Sequence, residues 1–281
     1  MRKCLVALLL AVFALTAAAC GSGGGTSTET SGGTAASTGG APDVSSMLKQ
    51  AGTLKVGAEL PAPPFLIPPR DNPTGFEADV ANELAKRLGN LKVEWLNVPF
   101  TSLFSPAPKP FDFDINEITI TPERDKVVDF SDSYFDANQA LLVHKGTDAE
   151  NATTMDAVKK LLLGAQGTTT GLDYIKNTIK PDKKAREFDT TTAANQALLN
   201  KQIGAFIIDV PIAAGLVQQN PNDLTIVGQF VTNEQYGILF ENGNPLREAV
   251  NTALAAMKSD GTLKKLQDKW FPAASNVPTI Q

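Results

Sequence analysis

The chain has little of what most catalytic and metal sites are built from. Among 281 residues there is one histidine, His144, and two cysteines, Cys4 and Cys20. No cysteine–histidine pair, metal-ligand cluster or nucleophile-elbow motif can be assembled, so catalysis finds little support and no metal or cofactor is expected. The N-terminal apolar run 5–15 is too short for a helix that crosses a bilayer, which needs roughly 20 apolar residues. Basic side chains are the minority, 25 against 30 acidic, for a net charge of -5. That sign argues against a nucleic-acid partner and against electrostatic attachment to an anionic membrane. What is present, 42% hydrophobic and 20% charged residues, can bury one large core or two small lobes.

Arg2 and Lys3, the apolar run and the small residues before Cys20 form a secretory signal over 1–19, so the protein is expected to be exported. Its removal leaves 23 basic against 30 acidic side chains, a net charge of -7. The next stretch, GSGGGTSTETSGGTAASTGG, has no apolar side chain larger than alanine. It cannot offset its ordering entropy and reads as a flexible tether over 20–43, with a span of roughly 25 Å.

Periodicity then predicts alternating strands and helices. A strand at 54–60, an amphipathic helix at 75–89 with Val80, Leu84 and Leu88 on one face, and a strand at 91–98 make a β-α-β unit with parallel strands. A strand at 111–121 leads to a turn with Glu123, Arg124 and Asp125, then strands at 127–130 and 139–143. A second alternating series follows, with strands at 163–166, 186–189, 204–209, 224–230 and 236–240. Helices are predicted at 155–162, 172–179, 192–199 and 211–219. Two C-terminal helices close the chain, the first opened by Asn244 and Pro245 and broken at Gly261. The class is α/β.

Three places carry recognisable chemistry. Arg124 follows a strand, and its guanidinium fork either matches a carboxylate or joins a surface salt bridge. Gly167-Thr168-Thr169 sits between a strand and a helix, where free N–H groups and two hydroxyls suit an anion. Asp209 ends the apolar strand 205–208 and is either a helix N-cap, with Pro211 following, or a buried counter-charge. Glu77 and Asp79 lie in a first helical turn, which favours acids through the macrodipole. His144 suits a hinge or a surface position.

The run Thr-Ile-Thr-Pro-Glu-Arg at 119–124, Val-Asp-Phe-Ser at 128–131, the helix start Gly-Phe-Glu-Ala-Asp-Val at 75–80 and the Tyr-Gly-Ile and Lys-Trp-Phe tail motifs resemble the family 3 solute-binding proteins, the amino-acid-binding proteins of ABC importers. The resemblance covers roughly 54–271. It implies a two-lobed, periplasmic-binding-protein-like fold of type II, each lobe a parallel-rich sheet flanked by helices, with crossing strands near 139–145 and 235–239. Lobe 1 would span 44–140 and 237–281, and lobe 2 would span 141–236. It further implies that Arg124, with Thr169 and its neighbour Thr168, holds a ligand carboxylate, that Asp209 takes the ammonium, and that Thr119 contacts the ligand backbone. Phe100 stands where the family places a wall of the side-chain pocket.

Two departures bear on specificity. Glu117 stands where the family has a small residue, and Ala62 where it often has an aromatic; Glu59 replaces a common aspartate. These acids either favour a cationic side chain, hydrogen-bond an amide, or point away. The sequence Ala-Ala-Ala-Cys at 17–20 resembles a bacterial lipobox, which implies lipidation at Cys20 and anchoring to the outer face of the cytoplasmic membrane. The expected protein is a monomeric binding lipoprotein that delivers a polar amino acid, cationic or glutamine/glutamate, to ABC permease subunits. A ligand-sensing module and a small-acid dehydratase are the alternatives on the same fold.

Overall fold

The computed structural model describes residues 43–271 and 277–281. The expected signal, the lipidation at Cys20 and all of the tether but Asp43 lie outside the described residues.

The first lobe begins with β1 (Thr53–Ala58), α1 (Phe76–Arg87) and β2 (Lys92–Asn97), followed by β3 (Phe113–Asp114) and β4 (Asp129–Phe130). Gly75 opens α1 at φ 126, and a Cβ there would lie 2.1 Å from the Phe65 carbonyl oxygen, so only glycine fits. Val80, Leu84 and Leu88 are buried as their spacing predicts.

β5 (Phe135–His144) crosses into the second lobe, which holds α2 (Met155–Lys159), β6 (Leu163–Gln166), α3 (Thr170–Tyr174), β7 (Arg186–Phe188), α4 (Thr191–Leu199), β8 (Ala205–Asp209) and α5 (Val210–Gln219). A π-helical turn, Ile175–Ile179, extends α3. The long β9 (Leu224–Tyr236) pairs with β5 and returns the chain to β10 (Leu239–Phe240), α6 (Leu246–Ser259) and α7 (Thr262–Trp270). Asp79 of α1 accepts from the Trp270 indole N–H and the Lys269 ammonium, each at 2.7 Å, so the C-terminal helices dock on the first lobe.

The strand orders are β2-β1-β3-β10-β4 and β7-β6-β8-β5-β9. In each sheet the strands on one side pair in parallel, β1 with β2 and β3, β6 with β7 and β8. The chain segments that link the lobes enter antiparallel, so both sheets are mixed where parallel-rich ones are expected. Phe65, Phe76, Phe135, Tyr236 and Phe271 form one aromatic cluster with centroid separations from 5.0 to 5.9 Å. It fixes the crossing strands to the core of the first lobe, each pair adding roughly 0.5–1.5 kcal/mol beyond burial.

Three expected strands differ, the one predicted at 236–240 being reduced to β10 because Tyr236 belongs to β9. The predicted 111–121 strand is extended only at β3, because the chain turns at Glu117, whose φ is 48. The predicted 224–230 strand continues to Tyr236, because its partner β5 extends through a register shift between Ala137 and Gln139.

Candidate ligand-binding site

The carboxyl ends of β1, β3, β6 and β8 face one another across the gap between the sheets. This is where open α/β folds place ligands. A cavity of about 50 Å³ lies there, bounded by Glu59, Phe100, Glu117, Thr119 and Arg124 on one side. Gln166, Thr169, Thr170, Thr191 and Asp209 bound the other. Among the hydrogen bonds that cross the gap, Arg124 Nη2 donates to the Thr168 carbonyl at 2.9 Å, and Gln166 Nε2 donates to Glu59 Oε1 at 3.0 Å. The lobes are therefore closed.

Arg124 is 8% exposed. Its Nη1 donates to the Thr119 carbonyl at 2.6 Å, and its guanidinium lies over the rings of Phe104, at 4.6 Å, and Phe100, at 5.6 Å. Among the described residues it forms no ion pair. Burial pulls it down to about 10, against the opposing charges of Asp209, Glu234 and Asp173, so it stays cationic at neutral pH. The backbone N–H groups of Thr119 and Thr169 donate to no protein acceptor among the described residues. Together these donors outline a place for an anion.

Asp209, 8% exposed, ends β8 and lines the cavity. Its Oδ1 accepts from Gln139 Nε2 at 2.7 Å and its Oδ2 from the Tyr236 hydroxyl. Burial and then the charge of Glu234 raise it to about 7, against those two hydrogen bonds and the charge of Arg124. An ammonium brought into the cavity would find a carboxylate ready to ionise against it.

The two threonines act differently from their sequence expectation. The Thr169 hydroxyl caps α3, accepting from Leu172 N and donating to the Gln166 carbonyl. Thr168 is exposed with φ 61, lies off the cavity, and takes part through its carbonyl alone. At this turn it is therefore the backbone N–H of Thr169, not its hydroxyl, that is left without a protein acceptor among the described residues.

Glu59 accepts from Phe100 N at 2.8 Å as well as from Gln166, and burial raises its pKa. Glu117 lines the cavity with Oε1 unpartnered. Its N–H donates to buried Glu77 Oε1 at 2.8 Å, which explains why the chain turns there. Burial, then the charges of Glu77, Asp209 and Glu59, raise Glu117 well above the usual carboxylate range. Phe100 is buried and packs on Arg124 as much as on the cavity. His144 lies at the outer end of β5, its Nδ1 2.7 Å from the Lys145 carbonyl, and does not line the cavity.

Gln139, Gln166, Thr170, Phe104, Glu234 and Tyr236 were not legible as site residues. Gln139 carried one weak signal, an amide heading an otherwise apolar strand. Tyr236 lay in a tail motif without an assigned role.

A two-lobed α/β molecule closed over a small cavity, lined by a buried guanidinium with no ion-pair partner among the described residues and by a buried aspartate, has the form of a solute-capturing protein. The family model for bacterial extracellular solute-binding proteins, family 3, matches residues 54–273, and the chain belongs to that family. The L-cystine-binding protein TcyJ of Escherichia coli is 34% identical over 231 residues, 80% of this chain and 85% of its own length. The ABC transporter glutamine-binding protein GlnH of Bacillus subtilis is 33% identical over 201 residues, covering 70% and 72%. An ancestral arginine-binding protein solved with arginine superposes with a TM-score of 0.70 at 38% identity, over 78% of this chain and 98% of that one. These relatives are named as binding proteins, and among the described residues no helix is long and apolar enough to cross a membrane.

Proposed function

We propose that the protein captures a free polar amino acid between its lobes and delivers it to the membrane subunits of an ABC transporter. The observation that carries this reading is Arg124, a buried cation with no ion-pair partner among the described residues, sharing one cavity with Asp209. A buried charge without a partner is costly, and a zwitterion supplies both missing counter-charges at once. Arg124 and the N–H groups of Thr119 and Thr169 hold the carboxylate; Asp209 takes the ammonium. Phe100, Glu59 and Glu117 shape the side-chain pocket, and the two acids favour a cationic side chain such as that of lysine or arginine over an anionic one. Lobe 1 is taken as 44–140 with 237–281 and lobe 2 as 141–236, joined by β5 and β9. Lipidation at Cys20 would hold the exported protein at the outer face of the membrane that carries its permease.

The test is calorimetry with a thermal-shift panel of the twenty amino acids, wild type beside Arg124→Ala. A ligand at a hundredfold its dissociation constant adds about 2.7 kcal/mol of stability. Binding of one polar amino acid that Arg124→Ala abolishes is the expected result. No binding by ligand-free protein sinks the reading and sends attention to substrate turnover and to a sensing role.

A further inference from the structure

Glu234 lies near the end of β9, where that strand passes between the lobes, and is 9% exposed. Its Oε2 accepts from two hydroxyls, that of Thr119 in the first lobe at 2.8 Å and that of Thr170 in the second at 2.7 Å. Its Oε1 accepts from Gln139 Nε2 at 3.0 Å, and the same amide nitrogen donates to Asp209. One carboxylate therefore gathers a donor from each lobe and a third from the crossing strand β5. It keeps both hydroxyls only while the lobes are together, because separating Thr119 from Thr170 must break at least one of the two bonds.

We propose that Glu234 is a positioning residue that latches the closed form from behind the ligand and, through Gln139, orients the carboxylate that receives the ammonium. Hydrogen bonds to a carboxylate acceptor in a water-poor setting are the strong kind, so one carboxylate that joins Thr119 to Thr170 through two of them biases the open–closed equilibrium. Ligand release must break the latch, which places its effect mainly on the dissociation rate. Through Gln139 the latch also fixes the Asp209 carboxylate opposite Arg124. The charged and titratable groups facing Asp209 are Glu234, Arg124, Glu117 and Tyr236, and the negative charge of Glu234 opposes its ionisation. The affinity part of this inference rests on the amino-acid-binding reading; the latch itself does not.

The experiment compares the full chain with Thr170→Val, Thr170→Ser and Glu234→Gln. Calorimetry and stopped-flow use L-arginine, L-glutamine and L-cystine as probes, and X-ray scattering is recorded without any ligand. Thr170→Val should weaken the bound probe at least fivefold, chiefly through faster dissociation, while Thr170→Ser, which keeps the hydroxyl, stays within twofold of wild type. Glu234→Gln should weaken binding and move the acidic limb of the affinity profile to lower pH, a shift that mere loss of packing would not produce. Both disrupting variants should show a larger ligand-free radius of gyration than wild type. The latch is overturned if Thr170→Val and Glu234→Gln bind within twofold with unchanged dissociation, or if Thr170→Ser is as weak as Thr170→Val. If wild type binds none of the probes and no other amino acid, the amino-acid reading fails, and equal radii of gyration across the set would then sink the latch as well.

Discussion

Affinity for an amino acid should fall steeply below neutral pH, and Asp209 is the reason. In the closed cleft its carboxyl sits at about 7, raised by burial and by Glu234. An ammonium pairs with the ionised form, so binding below that value must first expel a proton. With Arg124 cationic throughout the range, the apparent dissociation constant scales inversely with the fraction of Asp209 that is ionised. It rises about tenfold between pH 7.5 and pH 6 and about another tenfold by pH 5, each decade being about 1.4 kcal/mol. Above about pH 8 the profile should flatten. Calorimetry at pH 5, 6, 7 and 8 reads the affinities, and repeating the titration in buffers of different ionisation enthalpy counts the released proton. An affinity constant within twofold from pH 5 to 8, with no proton released, would refute the assignment of Asp209 to the ammonium.

The same groups make stability run the other way. Glu77 and Asp209 rise from 4.5 and 3.8 to about 7 on folding, so the native state binds more protons between those limits and unfolding free energy should fall as pH climbs from about 4 to 7. Urea melts of ligand-free protein check this, and Asp209→Asn should flatten part of the slope. Gly215 on α5 has its would-be Cβ 2.1 Å from the Pro63 carbonyl oxygen of the other lobe. Gly215→Ala should therefore prop the lobes apart and weaken ligand at least tenfold while the ligand-free melting temperature moves little; a variant that binds normally contradicts it. Trp270→Phe removes the indole donor to Asp79 and should cost roughly 1–3 kcal/mol in chemical denaturation, with the remaining Lys269 contact keeping the helices docked. Exchanging Glu117 for Gln removes a buried acid that lines the cavity and whose Oε1 has no partner among the described residues. It should stabilise the ligand-free fold and, on the cationic-ligand reading, weaken lysine or arginine more than glutamine, which a paired calorimetric series would reveal.

Much of the scaffold was legible because its signals are local. The helix expected at 75–89 is α1 at Phe76–Arg87, and the strand expected at 163–166 is β6 at Leu163–Gln166. Apolar spacing, an acidic first turn and a glycine at each end act within a few residues. The failures are places where distant chain decides. The 111–121 stretch is β-rich in composition, yet buried Glu77, some forty residues earlier, captures the Glu117 N–H and bends it. β9 continues past Phe230 because β5 offers a partner across a register shift, which neither strand announces alone.

In the site, Arg124 and Asp209 could be picked out because a cation after a strand and an acid ending an apolar strand are conspicuous residue types at informative positions. Glu234, Gln139 and Tyr236 had no such mark. They acquire meaning only when sheet register sets Gln139 opposite Asp209 and Phe135 opposite Tyr236. By itself, then, the sequence determined the α/β class, the family resemblance and the candidacy of Arg124 and Asp209, since these depend on residue type and short-range periodicity. Only the tertiary structure decided that Thr169 offers an N–H rather than a hydroxyl, that Arg124 lacks a protein counter-ion among the described residues, and that Glu234 gathers a hydroxyl from each lobe. Hydrogen bonds reach about 3 Å, and which groups come that close is settled by long-range packing rather than by neighbours in the chain.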